Sequence, residues 1–201
     1  MHKRNLIPNN LPDKKVIGTR QYYQYDSTTP EGRRMCSSSS HAMLLWNVKP
    51  NALGDGPNAD DDYLKRMKNW GDTTNGQAHE QCLREFFKLD ARFRTDLYLD
   101  DLVAQVMRGY GVPVGTVHHG HYTNPVGGGH FMYFLGWDFT EGKQDLIFHD
   151  PAGRMDLKNG GYADSSSGAG RYVRYRRDLW LPRWQVNGTL GWGTICNGLL
   201  K

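Results

Sequence analysis

The apolar periodicity of the sequence changes once along its length, and that change limits the folds available to it. Up to about residue 107 the apolar positions recur at helical spacing. From Val112 onward they fall into short runs broken by Gly, Pro and Asp. Cys36–Trp46 reads as a helix, with Ala42, Met43, Leu45 and Trp46 following a polar first turn of four serines and Pro50 shortly past the end. Asp60-Asp61-Asp62 marks a second helix start, Gln77–Leu89 a third helix and Leu99–Met107 a fourth. A short strand is expected near Phe93–Leu97. Val112–Val117, Phe131–Trp137, Leu146–His149 and Tyr172–Tyr175 follow as strands, the middle two joined by a turn-rich link that signals a hairpin. Tyr22–Asp26 reads as extended and residues 1–20 as an irregular lead-in. Helices first and strands second predict a single α+β domain, with an N-terminal helical half packed on a C-terminal antiparallel sheet. Active sites in such domains sit at the seam.

Composition narrows the classes of function. With 201 residues the chain suits one domain, and the 12% aromatic share supplies a core despite a mean hydropathy of −0.70. No apolar run is long enough to span a bilayer, so no membrane insertion is expected. Met1–Pro8 is basic with no apolar stretch behind it, so no secretory signal is expected. The net charge of +4 tolerates an anionic partner without demanding one, and no nucleic-acid partner is expected. Three widely spaced cysteines, Cys36, Cys82 and Cys196, do not make a disulfide framework.

Three local settings carry chemistry. Cys36 opens a helix and follows Arg33 and Arg34, and both features favour thiolate over thiol. Cys82, mid-helix, and Cys196, near a terminus, read as small buried hydrophobes. Gly127-Gly128-Gly129 lets the backbone approach a substrate, and His130 then begins an apolar strand where it can serve as a base. Asp150 ends the next strand before Pro151, so a hairpin brings it to the edge that carries His130, where it either orients the imidazole or caps the turn.

In this order, Gln24-Tyr25-Asp26, Cys36-Ser37-Ser38-Ser39, Gly129-His130-Phe131 and His149-Asp150-Pro151 resemble the double-glycine (bacteriocin-processing) peptidase-like group of the papain-like superfamily. The likeness runs from about Gln21 to Gly153. The later Leu181-Pro182-Arg183-Trp184 and Gly191-Trp192 resemble phage-encoded members of that group, thought of as cell-wall endopeptidases. The resemblance implies a papain-like fold, Cys36 as nucleophile, His130 as base and Asp150 as its orienting group. It also implies Gln24 as a donor of the oxyanion hole, beside the Cys36 backbone N–H. Two departures stand out: four serines replace the usual small residues after the Cys, and no P-loop of an exporter ATPase is present.

The expected substrate contacts are Ser37, Gly128, Gly129, His121 and Trp184. The expected substrate is a stem or crosslink peptide of bacterial peptidoglycan. It would be reached from the host cytoplasm through a holin pore, or by a protein carried in a phage particle. Alternatives are a protein-processing cysteine peptidase and a non-catalytic wall-binding or virion module. His118-His119-Gly120-His121 reads as a loop leading toward His130 and lining the cleft; a zinc amidase is a further alternative, but no His-Glu-x-x-His or paired-Cys spacing accompanies the cluster, so neither metal nor other cofactor is expected. The basic Arg171, Arg174, Arg176 and Arg177 alternate with Tyr172 and Tyr175 and read as one face of a strand.

Overall fold

A computed structural model describes Arg4 and residues 10–201. Residues 1–3 and 5–9 of the expected lead-in thus lie outside the described residues. The last part of the lead-in carries a strand: β1 (Lys14–Val16) pairs with the central strand of the sheet. Gln24–Asp26 is a turn of 3-10 helix rather than extended. Then come α1 (Cys36–Val48), α2 (Ala59–Met67) and α3 (Gly76–Gln81). Asn75 caps α3, its side chain accepting from the N–H groups of Gln77 and Ala78. The third helix is shorter than its periodicity predicts. It widens into π-helix over Cys82–Phe86, and Lys88 then turns left-handed at φ 63° to start a strand.

The sheet holds seven strands, all paired antiparallel. Besides β1 they are β2 (Leu89–Leu97), β3 (Val112–His119), β4 (Val126–Asp138), β5 (Asp145–His149), β8 (Val173–Arg176) and β9 (Gly191–Leu199). The order across the sheet is β2-β9-β3-β4-β5-β8, with β1 against the far end of β4. Two short strands, β6 (Arg154–Met155) and β7 (Tyr162–Asp164), form a separate ribbon. Two further helices are α4 (Leu99–Met107), with the bounds its amphipathic pattern predicts, and α5 (Arg177–Trp184).

Side chains leave a strand alternately on its two faces, so β4 feeds two cores. Tyr133 and Leu135 join Met43, Leu44, Tyr63 and Leu83 of the N-terminal helices. Met132, Phe134 and Trp137 join Leu102 and Val106 of α4 and Trp180 and Trp184 of α5. A bulge between Phe134 and Gly136 resets the alternation, which is why Phe134 and Trp137, an odd number of residues apart, share a face. The sheet is therefore covered on both faces. The expected helical half covers one; α4 and the unpredicted α5 cover the other.

Candidate active site

The serines after Cys36 form the first turn of α1, but that turn is buried, not wet. Ser38 Oγ bonds Thr73 Oγ1 at 2.7 Å, and Ser39 Oγ donates to Asp60 Oδ2 at 2.6 Å. The Ser37 carbonyl accepts from His41 Nδ1 at 2.7 Å, and His41 Nε2 bonds Thr194 Oγ1 at 2.8 Å. The His41 ring stacks on His79 with centroids 4.1 Å apart. Burial holds both imidazoles neutral, His79 down to about 4 and His41 well below its usual value. Polar side chains anchored on α2, on the loop before α3 and on β9 thus fix the start of α1, where Cys36 stands.

Cys36 is half-buried at the bottom of a cleft of 210 Å3, among Gln24, Tyr25, Arg33, Thr74, Gly129, His130 and Tyr162. Burial pushes its thiol up. The charge of His130, a hydrogen bond with that imidazole and the Phe131 N–H outweigh this and bring the pKa below the ordinary thiol value. Arg34, expected to help, is held by Glu31 and Asp72 instead. The other two thiols behave as small hydrophobes: burial pushes Cys82 up to about 12 and raises Cys196.

His130 begins the buried part of β4. The hairpin is present, with Tyr133 opposite His149 on β5, so Asp150 emerges at the edge beside His130. His130 Nε2 lies 2.8 Å from Asp150 Oδ1. Burial lowers the His130 pKa, but the charges and hydrogen bonds of Asp150 and Cys36 win and push it up to about 10. Asp150 is fully buried. Its Oδ1 also accepts from the Ala152 N–H at 3.0 Å, and Oδ2 accepts from the Tyr175 hydroxyl at 3.0 Å. That hydroxyl in turn accepts from the Met155 N–H at 2.7 Å. The Gly170 carbonyl accepts from the Asp150 N–H at 2.9 Å, and a Cβ on Gly170 would lie 2.0 Å from the Asp150 carbonyl oxygen. Glycine is required there by close approach.

Gln24 is 2% exposed and lines the cleft, its N–H donating to the Pro151 carbonyl at 3.0 Å. Cys36, His130, Asp150 and Gln24 are thus brought together, although 126 positions separate the first from the last in sequence order. A lowered thiol, an imidazole raised by a carboxylate and an amide beside them can support nucleophilic attack on a carbonyl.

Most of the expected substrate contacts stand elsewhere. Ser37 is buried in the first turn of α1. Trp184 is a core residue, stacked 5.1 Å from Trp180 with Nε1 donating to the Trp192 carbonyl at 3.0 Å. His121 is exposed beyond the cleft and bonds Thr123 Oγ1 at 2.8 Å. Gly128, left-handed at φ 40°, packs on the His118 ring, where a Cβ would lie 2.5 Å from Cε1, so glycine is required there by close approach to His118. Gly129 does line the cleft. His118, in the loop expected to lead toward His130, lines the cleft; Tyr162 and Tyr175 were not expected at the site. The dense imidazole cluster was a signal for the first; the two tyrosines reach the site through strands far along the chain.

Among the described residues no three His, Cys, Asp or Glu side chains gather as a metal site, and no helix is long and apolar enough to cross a membrane. Arg174 and Arg176 do stand on the exposed face of β8, each paired with acids: Arg174 with Asp138 and Asp145, Arg176 with Asp178.

No known protein family and no curated protein matches the sequence. Solved structures match in fold. One is described as a putative C39-like peptidase from Bacillus anthracis. It is similar at 13% identity with a TM-score of 0.54, over 93% of this chain and 99% of that one. Another is UfSP from C. elegans, at 15% identity and a TM-score of 0.52, over 96% of this chain and 36% of that one. The chain therefore has the α+β fold of papain-like peptidases.

Proposed function

We propose that the protein is a cysteine endopeptidase. The observation that carries this reading is a single imidazole, His130, shared between a thiol at a helix start and a buried carboxylate, inside an open cleft. The Cys36 thiolate attacks an amide carbonyl. The oxyanion forms against the Gln24 amide and the Cys36 N–H. His130, protonated in the resting pair, gives its proton to the leaving amine, and a thioester remains on Cys36. His130 then takes a proton from water, the hydroxide attacks the thioester, and the acid leaves as thiolate and imidazolium are restored. Asp150 keeps the imidazole oriented and favours its charged form.

The substrate we propose is a stem or crosslink peptide of bacterial peptidoglycan, cut by a phage-type wall endopeptidase. The resemblance of Leu181-Pro182-Arg183-Trp184 and Gly191-Trp192 to phage-encoded members of the group supports it, and the net charge of +4 suits an anionic wall. The test is a digest of purified wall by the protein and by Cys36→Ala, with released fragments read by mass and new amino groups titrated. Fragments made by the wild type and lost in the variant are expected. Identical digests from the two proteins would overturn the mechanism. An intact wall alongside a cleaved protein substrate such as casein would overturn the wall as target and leave the peptidase.

A further inference from the structure

His118 ends the regular part of β3 on the wall of the Cys36 cleft, half-buried, with its ring 5.8 Å from that of His130 and 6.0 Å from that of Tyr162. Its Nδ1 bonds the Gly128 carbonyl. A carbonyl oxygen only accepts, so Nδ1 carries the proton and Nε2 of the neutral ring presents a lone pair. Nothing among the described residues bonds Nε2, and it is not sealed from solvent. Burial, with the charges of His130 and His119, keeps the ring below the usual imidazole range.

The segment around it is fixed with unusual thoroughness. Arg183 is fully buried with no carboxylate bonded to its guanidinium. It donates to four carbonyls instead: Leu157 at 2.8 Å, Val117 and His119 at 3.2 Å each, and Gly120 at 2.6 Å. The Gly161 N–H donates to the His118 carbonyl at 2.6 Å. The backbone on both sides of His118 is therefore clamped, while one nitrogen of its ring stays available to the cleft. A buried, charged clamp of this kind costs desolvation, which a loop with no positional task would not require.

We propose that His118 is a substrate-binding residue whose Nε2 accepts a hydrogen bond from a backbone N–H of the bound peptide, close to the bond that is cut. The inference rests on the cysteine-peptidase reading of the same cleft. One such bond contributes about 1 kcal/mol, or roughly five- to tenfold in the capture of a substrate.

The test uses the intact protein and two thiol reagents. Iodoacetamide reads the Cys36 thiolate alone. A peptidyl chloromethyl ketone adds a peptide backbone, and its analogues carry an N-methyl group at one backbone nitrogen at a time. In the wild type, one N-methylation is expected to slow alkylation about tenfold. In His118→Phe the unmethylated reagent slows by a similar factor, and that same methylation then has no further effect. Iodoacetamide alkylates both proteins at the same rate. His118→Asn, smaller and still polar, is a second variant should the Phe form fail to fold, with the same loss of the methylation effect expected. Additive losses from variant and methylation would overturn the proposal, as would no loss in either arm. Equal slowing of both reagents would overturn it too, placing His118 with the thiol instead of the peptide. Slow iodoacetamide reaction in the wild type would instead count against the peptidase reading itself.

Discussion

At the scale of single residues the site is a coupled thiol and imidazole with a support behind it. Cys36 is lowered and His130 raised, so each favours its charged form more than an isolated thiol or imidazole does. Activity is expected to rise as the thiol ionises and to fall as the pair loses its proton near pH 10, the two limbs belonging to the coupled pair. A pH–kcat/KM profile checks this; an alkaline limb near 6.5, the ordinary imidazole value, would contradict it. Tyr175 acts through Asp150. Tyr175→Phe removes the bond to Oδ2 and strands the Met155 N–H, at a cost to stability of about 1–3 kcal/mol. As a positioning residue it is expected to lower kcat several-fold with KM unchanged. The alkaline limb should move, which a merely structural loss would not do.

At the scale of elements, α1 holds Cys36 through buried polar contacts, and these give the fold a pH dependence. His41 and His79 stack neutral in the core, and burial also lowers His149 to about 4. In the unfolded chain each would bind a proton near pH 6.5. Their folded values are depressed, so their stabilisation is complete above 6.5 and is lost as pH falls toward 4. Asp60 has the opposite sign. Burial raises it to about 7, so its contribution is complete below the ordinary carboxylate value and is lost as pH rises through 7. Three imidazoles oppose one carboxyl, so the melting temperature is expected to fall on acidification from pH 6.5 to 4. A thermal melt series in matched salt checks it, and a flat series would contradict the neutral stack. Ser39→Ala leaves both Asp60 oxygens without a partner and is expected to destabilise by about 1–3 kcal/mol at pH 8. The same element scale shows why α5 and β9 escaped the sequence reading. Pro182 lies inside α5, and β9 contains Gly191, Gly193 and Gly198, each of which argues locally against its element. Packing overrides both. A Cβ on Gly191 would lie 2.0 Å from Trp184 Cε2, and one on Gly193 would lie 2.6 Å from the Pro113 carbonyl, so the glycines permit contacts that hold the strand.

At the scale of the whole molecule, β9 closes the sheet. It lies between β2 and β3, joining the first strand after the N-terminal helices to the hairpin that carries His130. A chain cut after Leu190 is expected to lose cooperative unfolding altogether, as followed by circular dichroism in denaturant. The order of helices and strands, the bounds of α4, the hairpin of β4 and β5, and the residues Gln24, Cys36, His130 and Asp150 were legible in the sequence. Each rests on local information: periodicity, a helix start, a turn, a motif. The sequence by itself also singled out Cys36 from the other two thiols by its place at a helix start. Only the tertiary structure decided what lowers that thiol, which is His130 and the Phe131 N–H rather than Arg34, whose charge Glu31 and Asp72 hold. It also placed Ser37 and Trp184 in the interior and His118 on the cleft wall in place of His121. Those choices depend on which surfaces meet across 80 or more residues, as between His118 and the cleft floor at Cys36. No local pattern encodes such distances, because burial and pairing belong to the packed chain and not to any one of its segments.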